Sequence, residues 1–301
     1  MPFAIGTFTP AIFRRAFFVV ATCVTLLVAT QAANVPVKPP ELSQMGKADP
    51  EEAARILEQF RRSGIPGQYY LEFELHALPR RGEEQIFQGR LWGGRNEQGA
   101  ISRVELTDAK NQKHRLLIQN GEHAAVWKFT QGKVAALSVA ELFQPLIPGV
   151  EVTAFDVQMP FLYWPDATLE KITRMRGRPS NAFLFRAPAS FTQQHAEVTA
   201  ARAYLDTQFN ALMQTELLGA NDRVVKTTSL LDLKKITDPV TRREQWIPKA
   251  FDVRNETTRD KTRFVIKAVA LDLELAPAVF QPASLAEEIA PPARGLVRID
   301  G

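Results

Sequence analysis

The stretch QYYLEFELHAL, Gln68 to Leu78, decides how the rest of the chain is read. Drawn as an extended strand, it puts Tyr69, Leu71, Phe73, Leu75 and Ala77 on one face and Glu72, Glu74 and His76 on the other. The same period of two continues downstream. Further candidate strands cover 84–92, 100–107, 114–119, 122–129, 168–175, 181–187, 200–205, 211–217, 224–236, 246–255 and 262–273. Asn120-Gly121 supplies a hairpin signal and Gly177-Arg178-Pro179 a turn, while Gly93, Gly94 and Gly99 are spaced as a hairpin loop. Strand starts about ten to twelve residues apart, with turn chemistry between them, point to a single antiparallel sheet or barrel.

Upstream of the strands, Asp49 is placed to cap a helix that opens on Pro50 with Glu51 and Glu52 in its first turn. Ala53, Ile56, Leu57 and Phe60 give it one apolar face. Arg61 and Arg62 suit its last turn, and Gly64 and Pro66 stop it.

Two interruptions break the strand rhythm. SVAELF, Ser138 to Phe143, carries a capping box made by Ser138 and Glu141. FDVQMPFLYWP, Phe155 to Pro165, reads as a short helix capped by Asp156, with Phe155, Met159, Leu162 and Tyr163 sharing a side. Pro160 disturbs that helix, Pro165 ends it, and Pro145 to Val150 forms a loop before it.

The chain has 301 residues, 45% hydrophobic and 23% charged, which suits one large domain or two small ones. Neither a repeat nor a low-complexity linker follows residue 46, so a single domain over 47–290 is expected, with 291–301 as a tail. Residues 1–33 read as an export signal: Arg14 and Arg15, an apolar run from Ala16 to Thr30, then small residues to Ala33. Residues 34–46 are a Pro-rich leader. Phe13-Arg14-Arg15 also resembles a twin-arginine export motif. Cys23, the single cysteine, lies inside the signal, so the exported protein is expected to lack disulfides and thiolate chemistry. Without the signal's two arginines the formal charge falls from +4 to +2, and nucleic acid is not an expected partner.

No nucleophile elbow, P-loop, zincin helix or dinucleotide fingerprint is present, so no catalytic residues, metal or cofactor are expected. His76, His114, His123 and His195 lack metal-like grouping, although His114 and His123 could face each other across the Asn120-Gly121 hairpin. Lys171, Arg174, Arg176 and Arg178 form a local basic cluster of the kind that usually lines a solvated face. The aromatics carry more. Phe73, Trp92, Trp127 and Phe129 sit on strands, while Phe155, Phe161, Tyr163 and Trp164 crowd the second interruption. A curved sheet over 68–273 has one concave face to fill, with the first helix and the pieces at 138–164 available to fill it. If those pieces only lean across the opening, an apolar cavity remains.

In order and spacing, several of these features resemble the LolA-like outer-membrane lipoprotein-sorting proteins over about residues 49–285. They are the first helix, the long antiparallel run, DVQMPFLYWP, the Gly177-Arg178-Pro179 hairpin and Tyr204-Leu205-Asp206. Downstream come Trp246-Ile247-Pro248-Lys249, Val253-Arg254-Asn255, Leu271-Asp272-Leu273 and Phe280-Gln281-Pro282. The resemblance implies an α+β fold: an incomplete antiparallel β-barrel of about eleven strands with short helices as a lid over an apolar concave face. It implies a periplasmic, monomeric carrier of lipid or acylated lipoproteins that works with inner- and outer-membrane sorting components. An envelope-stress sensor or protein-interaction module on the same fold is the alternative. The ligand-binding residues it suggests are Leu71, Phe73, Leu75, Trp92, Trp127, Phe155, Met159, Phe161, Leu162, Tyr163 and Trp164. No position in the sequence matches the lid-locking arginine of the founding carriers. Shielding such cargo is worthwhile, since each buried methylene contributes about 0.8 kcal/mol.

Overall fold

The first helix forms as its end signals dictate. The structure, a computed structural model, describes residues 49–299, which belong to one compact unit. The expected export signal, with Arg14, Arg15 and Cys23, and the 34–46 leader lie outside the described residues. Helix α1 (Pro50–Arg62) is capped by Asp49, whose carboxylate accepts from the Glu51 amide at 3.0 Å. It buries Leu57 and half-buries Ala53, Ile56 and Phe60, the stripe its spacing foretold.

Alternation then takes over. The first meander comprises β1 (Gln68–Leu78), β2 (Gln85–Asn96), β3 (Gly99–Thr107), β4 (Lys113–Gln119), β5 (Ala125–Thr130) and β6 (Lys133–Ala136). The second comprises β7 (Asp166–Met175), β8 (Arg178–Arg186), β9 (Ala200–Asp206), β10 (Leu212–Leu218), β11 (Val224–Thr237), β12 (Glu244–Asn255) and β13 (Lys261–Leu273). Within each meander every strand pairs antiparallel with its sequence neighbour, and β1 pairs with β13 to join the two into one sheet. A two-residue strand, β14 (Val297–Arg298), adds to β13, so the sheet has 14 strands. That exceeds the expected eleven or so, and β14 draws part of the expected 291–301 tail into the domain. β6 and β7 end the path and do not pair, so the barrel is unclosed.

The chain between those free edges forms the bridging insertion. It holds α2 (Val139–Leu142), α3 (Ala154–Gln158) and a 3-10 turn, Pro160–Tyr163. The Ser138–Glu141 capping box forms as read. The second start lies elsewhere: Thr153 is the N-cap of α3, and Asp156 is its reciprocal partner three residues on, so Asp156 completes a capping box and is not itself the cap. Met159 takes a left-handed conformation (φ 50°), and this breaks α3 from the turn that Pro160 opens.

The insertion packs against the inner face of the sheet. One cluster joins Leu71, Phe73 and Leu75 with Leu146, Ile147 and Val152, and a second joins Phe155, Phe161, Leu162 and Trp164 with Phe183, Phe185, Leu205 and Leu217. Two glycines make room there. Gly89 lies opposite Phe73 and Gly93 opposite Tyr69, and a Cβ at either would meet the facing ring at 2.3 Å or 2.2 Å. Gly93 and Gly94 therefore belong to β2, and the turn expected there lies at 96–99.

The outer face of the first meander is covered too. Two 3-10 turns, Pro277–Phe280 and Pro282–Ala286, lay Val279 against Tyr70 and Trp92, and Leu285 against Ile101 and Leu117. Fully buried Arg103 of β3 clamps this strap, donating to the Ser284 carbonyl at 3.0 Å and to the Glu287 carbonyl.

Candidate ligand-binding face and its lid

Phe155 is the centre of the lid, with its side chain wholly removed from solvent. It stacks on Phe143, which follows α2, with ring centroids 4.4 Å apart, and lies 5.8 Å from Phe191, 6.0 Å from Phe161 and 6.4 Å from Trp164. Phe191 sits on α4 (Ala189–Thr192), and Phe161 reaches Phe185 of β8 at 5.8 Å. Tilted and offset pairs at these separations add about 0.5–1.5 kcal/mol each beyond the area they bury. His195 closes the nest by stacking on Phe143 at 3.7 Å, nearly parallel. Burial pushes the His195 imidazole below its usual range, and Glu197 opposes this weakly.

Polar contacts fasten the lid at three places. Arg61 of α1 donates from Nε and an Nη to the Leu162 carbonyl at 2.8 and 2.5 Å, and its guanidinium lies 5.0 Å over the Tyr163 ring. Lys226 of β11 pairs with Asp156 at 2.8 Å and also donates to the Glu151 carbonyl at 3.0 Å. Gln158 donates to the Gln119 carbonyl at 2.9 Å. Helix α1 is itself tied to both meanders, because Arg95 at the end of β2 donates to the Arg61 carbonyl and Asn210, in the turn after β9, to the Ile56 carbonyl. Burial raises the Tyr163 phenol above its usual range, against the pull of Arg95 and Arg61.

The expected ligand residues separate by face. Leu71, Phe73 and Leu75 line the inner face beside the first half of the insertion, and Phe155, Phe161, Leu162 and Trp164, on its second half, are buried against Phe183, Phe185, Leu205 and Leu217. Met159 and Tyr163 are half-buried against the same cluster. Trp92 and Trp127 lie on the opposite face. Trp92 pairs with Tyr70 and Trp127 with Leu117, residues of outward parity, and the C-terminal strap covers both sites. Sequence reading assigned no site role to Phe143, Phe183, Phe185, Phe191, His195, Arg61 or Lys226, which supply the aromatics and polar latches here. The alternation of Phe183 and Phe185 was the available signal for two of them. Neither Arg61 nor Lys226 had one, since each acts through a carbonyl or carboxylate distant in sequence.

The other candidates resolve into structural roles. His114, the second residue of β4, holds Asp108 at 2.9 Å, whereas His123 lies in the loop after β4, so the two do not face each other. Among the described residues no three His, Cys, Asp or Glu side chains converge as metal ligands, and no helix is long and apolar enough to cross a membrane. An open polar cleft of about 540 Å³ on the outer face is lined by Arg176, Asp252, Arg254, Glu256, Arg259 and Lys261. Its charges are satisfied internally, with Arg259 on Glu256 at 2.6 Å and Lys261 on Asp252 at 3.1 Å.

No protein-family model matches the sequence, and no curated protein matches it either. Solved structures do match. A domain from Vibrio parahaemolyticus described as an outer membrane lipoprotein-sorting protein superposes with a TM-score of 0.66 at 15% identity, over 79% of this chain and 99% of that one. A DUF1329 family protein from Desulfovibrio piger gives 0.62 at 12% identity, over 78% and 98%. A LolA superfamily protein from Nitrosomonas europaea gives 0.56 at 15%, over 76% and 97%. The unclosed antiparallel sheet with its short bridging helices is therefore the LolA-like fold that the sequence resembles.

Proposed function

We propose that the protein is a periplasmic binder of acylated ligands, a carrier of lipid or lipoprotein anchors toward the outer membrane. The carrying observation is the lid: an aromatic insertion spans the gap between unpaired β6 and β7 and is held by a few side-chain latches over an apolar inner face. In this reading the insertion moves aside with Phe155, Met159, Phe161, Leu162, Tyr163 and Trp164, and acyl chains take the place of its rings against Leu71, Phe73 and Leu75 and against Phe183 and Phe185 of the sheet. Non-directional contacts of this kind hold chains of varied length and release them again. Trp92 and Trp127, on the outer face, take no part.

Native mass spectrometry of protein purified from the periplasm tests this. Bound lipid or lipoprotein is expected, and Arg61→Ala is expected to speed uptake of a fluorescent fatty acid. Protein that is consistently empty and fails to bind acylated peptide would count against a carrier.

One observation favours a second reading, an envelope sensor or protein-interaction module. The inner face is occupied by the protein's own side chains, with Phe155 and Phe161 almost wholly buried. A pull-down dominated by one membrane protein and indifferent to removal of acyl chains would select that reading.

A further inference from the structure

Strands β11 and β12 outrun the sheet that supports them. β10 pairs with β11 only as far as Ser229, and β13 pairs with β12 only from Ala250 to Arg254. Residues 230–237 and 244–249 therefore pair with each other alone, as a two-stranded ribbon that leaves the sheet near Pro248, where the chain has no amide to donate. β13 gives its other edge to β1, so β14 takes the edge that β12 has vacated, and the Ile299 amide donates to Lys267 at 2.8 Å. One side of the ribbon is anchored by Ile236 and Ile247, which are buried with Ile299 in the inner core.

The other side is exposed, and there Trp246 and Leu233 flank the Lys235–Glu244 ion pair. Trp246 is 59% exposed, Leu233 lies on the same side, and Val240 at the tip is 77% exposed. The tip is preorganised to present Val240: the buried Asp238 carboxylate accepts from the Val240 and Thr241 amides at 2.8 and 2.6 Å. Residues 232–249 carry Lys234, Lys235, Arg242, Arg243 and Lys249 against Asp232, Asp238 and Glu244; Lys235 pairs with Glu244, Lys249 with Asp232 and Arg243 with Asp272, while Asp238 is spent within the turn. Arg242 makes no ion pair among the described residues and stands exposed beside Val240. An exposed tryptophan and aliphatic tip among arginines and lysines have the composition of a membrane-interface anchor, with rings at headgroup depth and cations on anionic phosphates.

We propose that the β11–β12 ribbon docks the protein on an anionic lipid surface. This does not depend on what the inner face binds. The test uses the full chain and vesicles of phosphatidylglycerol mixed equally with phosphatidylcholine. Co-sedimentation is expected, with Trp246 fluorescence shifted to the blue and quenched by brominated lipid. Trp246→Ser should weaken partitioning about tenfold and Arg242→Ala about fivefold at low salt, each with an unchanged far-ultraviolet spectrum because both side chains are exposed. Equal partitioning of wild type and Trp246→Ser, or equal binding to pure phosphatidylcholine, would overturn the proposal. So would a dimer in sedimentation equilibrium that Trp246→Ser dissolves without any vesicle binding, which would assign the ribbon to a second copy of the chain. Failure here leaves the fatty-acid assay untouched, so the two readings fail separately.

Discussion

The two halves of the sheet are built from the same antiparallel meander, but only the first is covered on both faces. Its inner face meets the insertion, and its outer face meets the C-terminal strap clamped by Arg103. The second meander has the lid inside and solvent outside, where Arg202 bridges Glu170 at 2.7 Å and Glu216 at 3.1 Å. The contrast assigns rigidity to one half and mobility to the other. A sheet sandwiched between two apolar layers resists bending, whereas a half held outside by polar pairs can flex when the lid moves.

The sharpest way to break that contrast is Arg103→Ala, which empties a fully buried site and removes the side-chain donor that ties the strap through the Ser284 and Glu287 carbonyls. It should cost about 3 kcal/mol in urea unfolding. Hydrogen exchange should quicken in β3 and β4 while β8 and β9 stay protected. Uniform deprotection would erase the distinction.

Next in size is Lys226→Met, which leaves Asp156 buried without its cation at the lid latch. It should destabilise by about 2 kcal/mol and raise exchange within 153–164. Unchanged lid exchange would mean that this latch does not hold the lid.

A smaller effect comes from pH. His195 has a folded-state pKa below its unfolded one, so its contribution is complete above the unfolded value near 6.5 and is lost as pH falls below it. Stability should therefore drop between pH 6.5 and 5, and His195→Phe should flatten that part of the profile, as read by thermal melts. An identical slope in the variant would remove His195 as its source.

Arg202→Ala, in the half-buried network on the uncovered outer face, should have the least effect, about 1 kcal/mol, because ion pairs that still reach solvent contribute little. The Tyr204 phenol, pushed up to about 12 by burial and by Glu216, reports on the same network by ultraviolet titration.

Much of the fold was legible in the alternation of β1 and in the end signals of α1, because each depends only on residues adjacent in sequence. β6 was not, since KVAA is too short and too evenly exposed to alternate. The strap escaped notice for another reason. Val279 and Leu285 are isolated apolar residues between prolines, and only the outer face of β1–β4 gives them meaning. The same double coverage misled the reading of Trp92 and Trp127. When both faces of a sheet are dry, an aromatic residue on a strand does not reveal which face it serves. Parity did contain the answer, because a residue opposite Tyr70 cannot share the side of Leu71.

The pairing of β1 with β13 also sets the order in which this chain can fold. Leu71 waits for Val269, so each meander can zip locally while the seam between them must await nearly the whole chain. Closing so long a loop adds little to the equilibrium cost, which grows only as the logarithm of its length. It does delay the last step, and non-local strand pairing is intrinsically slow. A chain delivered from its N-terminus would carry β1 as an unpaired apolar edge until its final strands arrive, and through that interval the edge is open to aggregation.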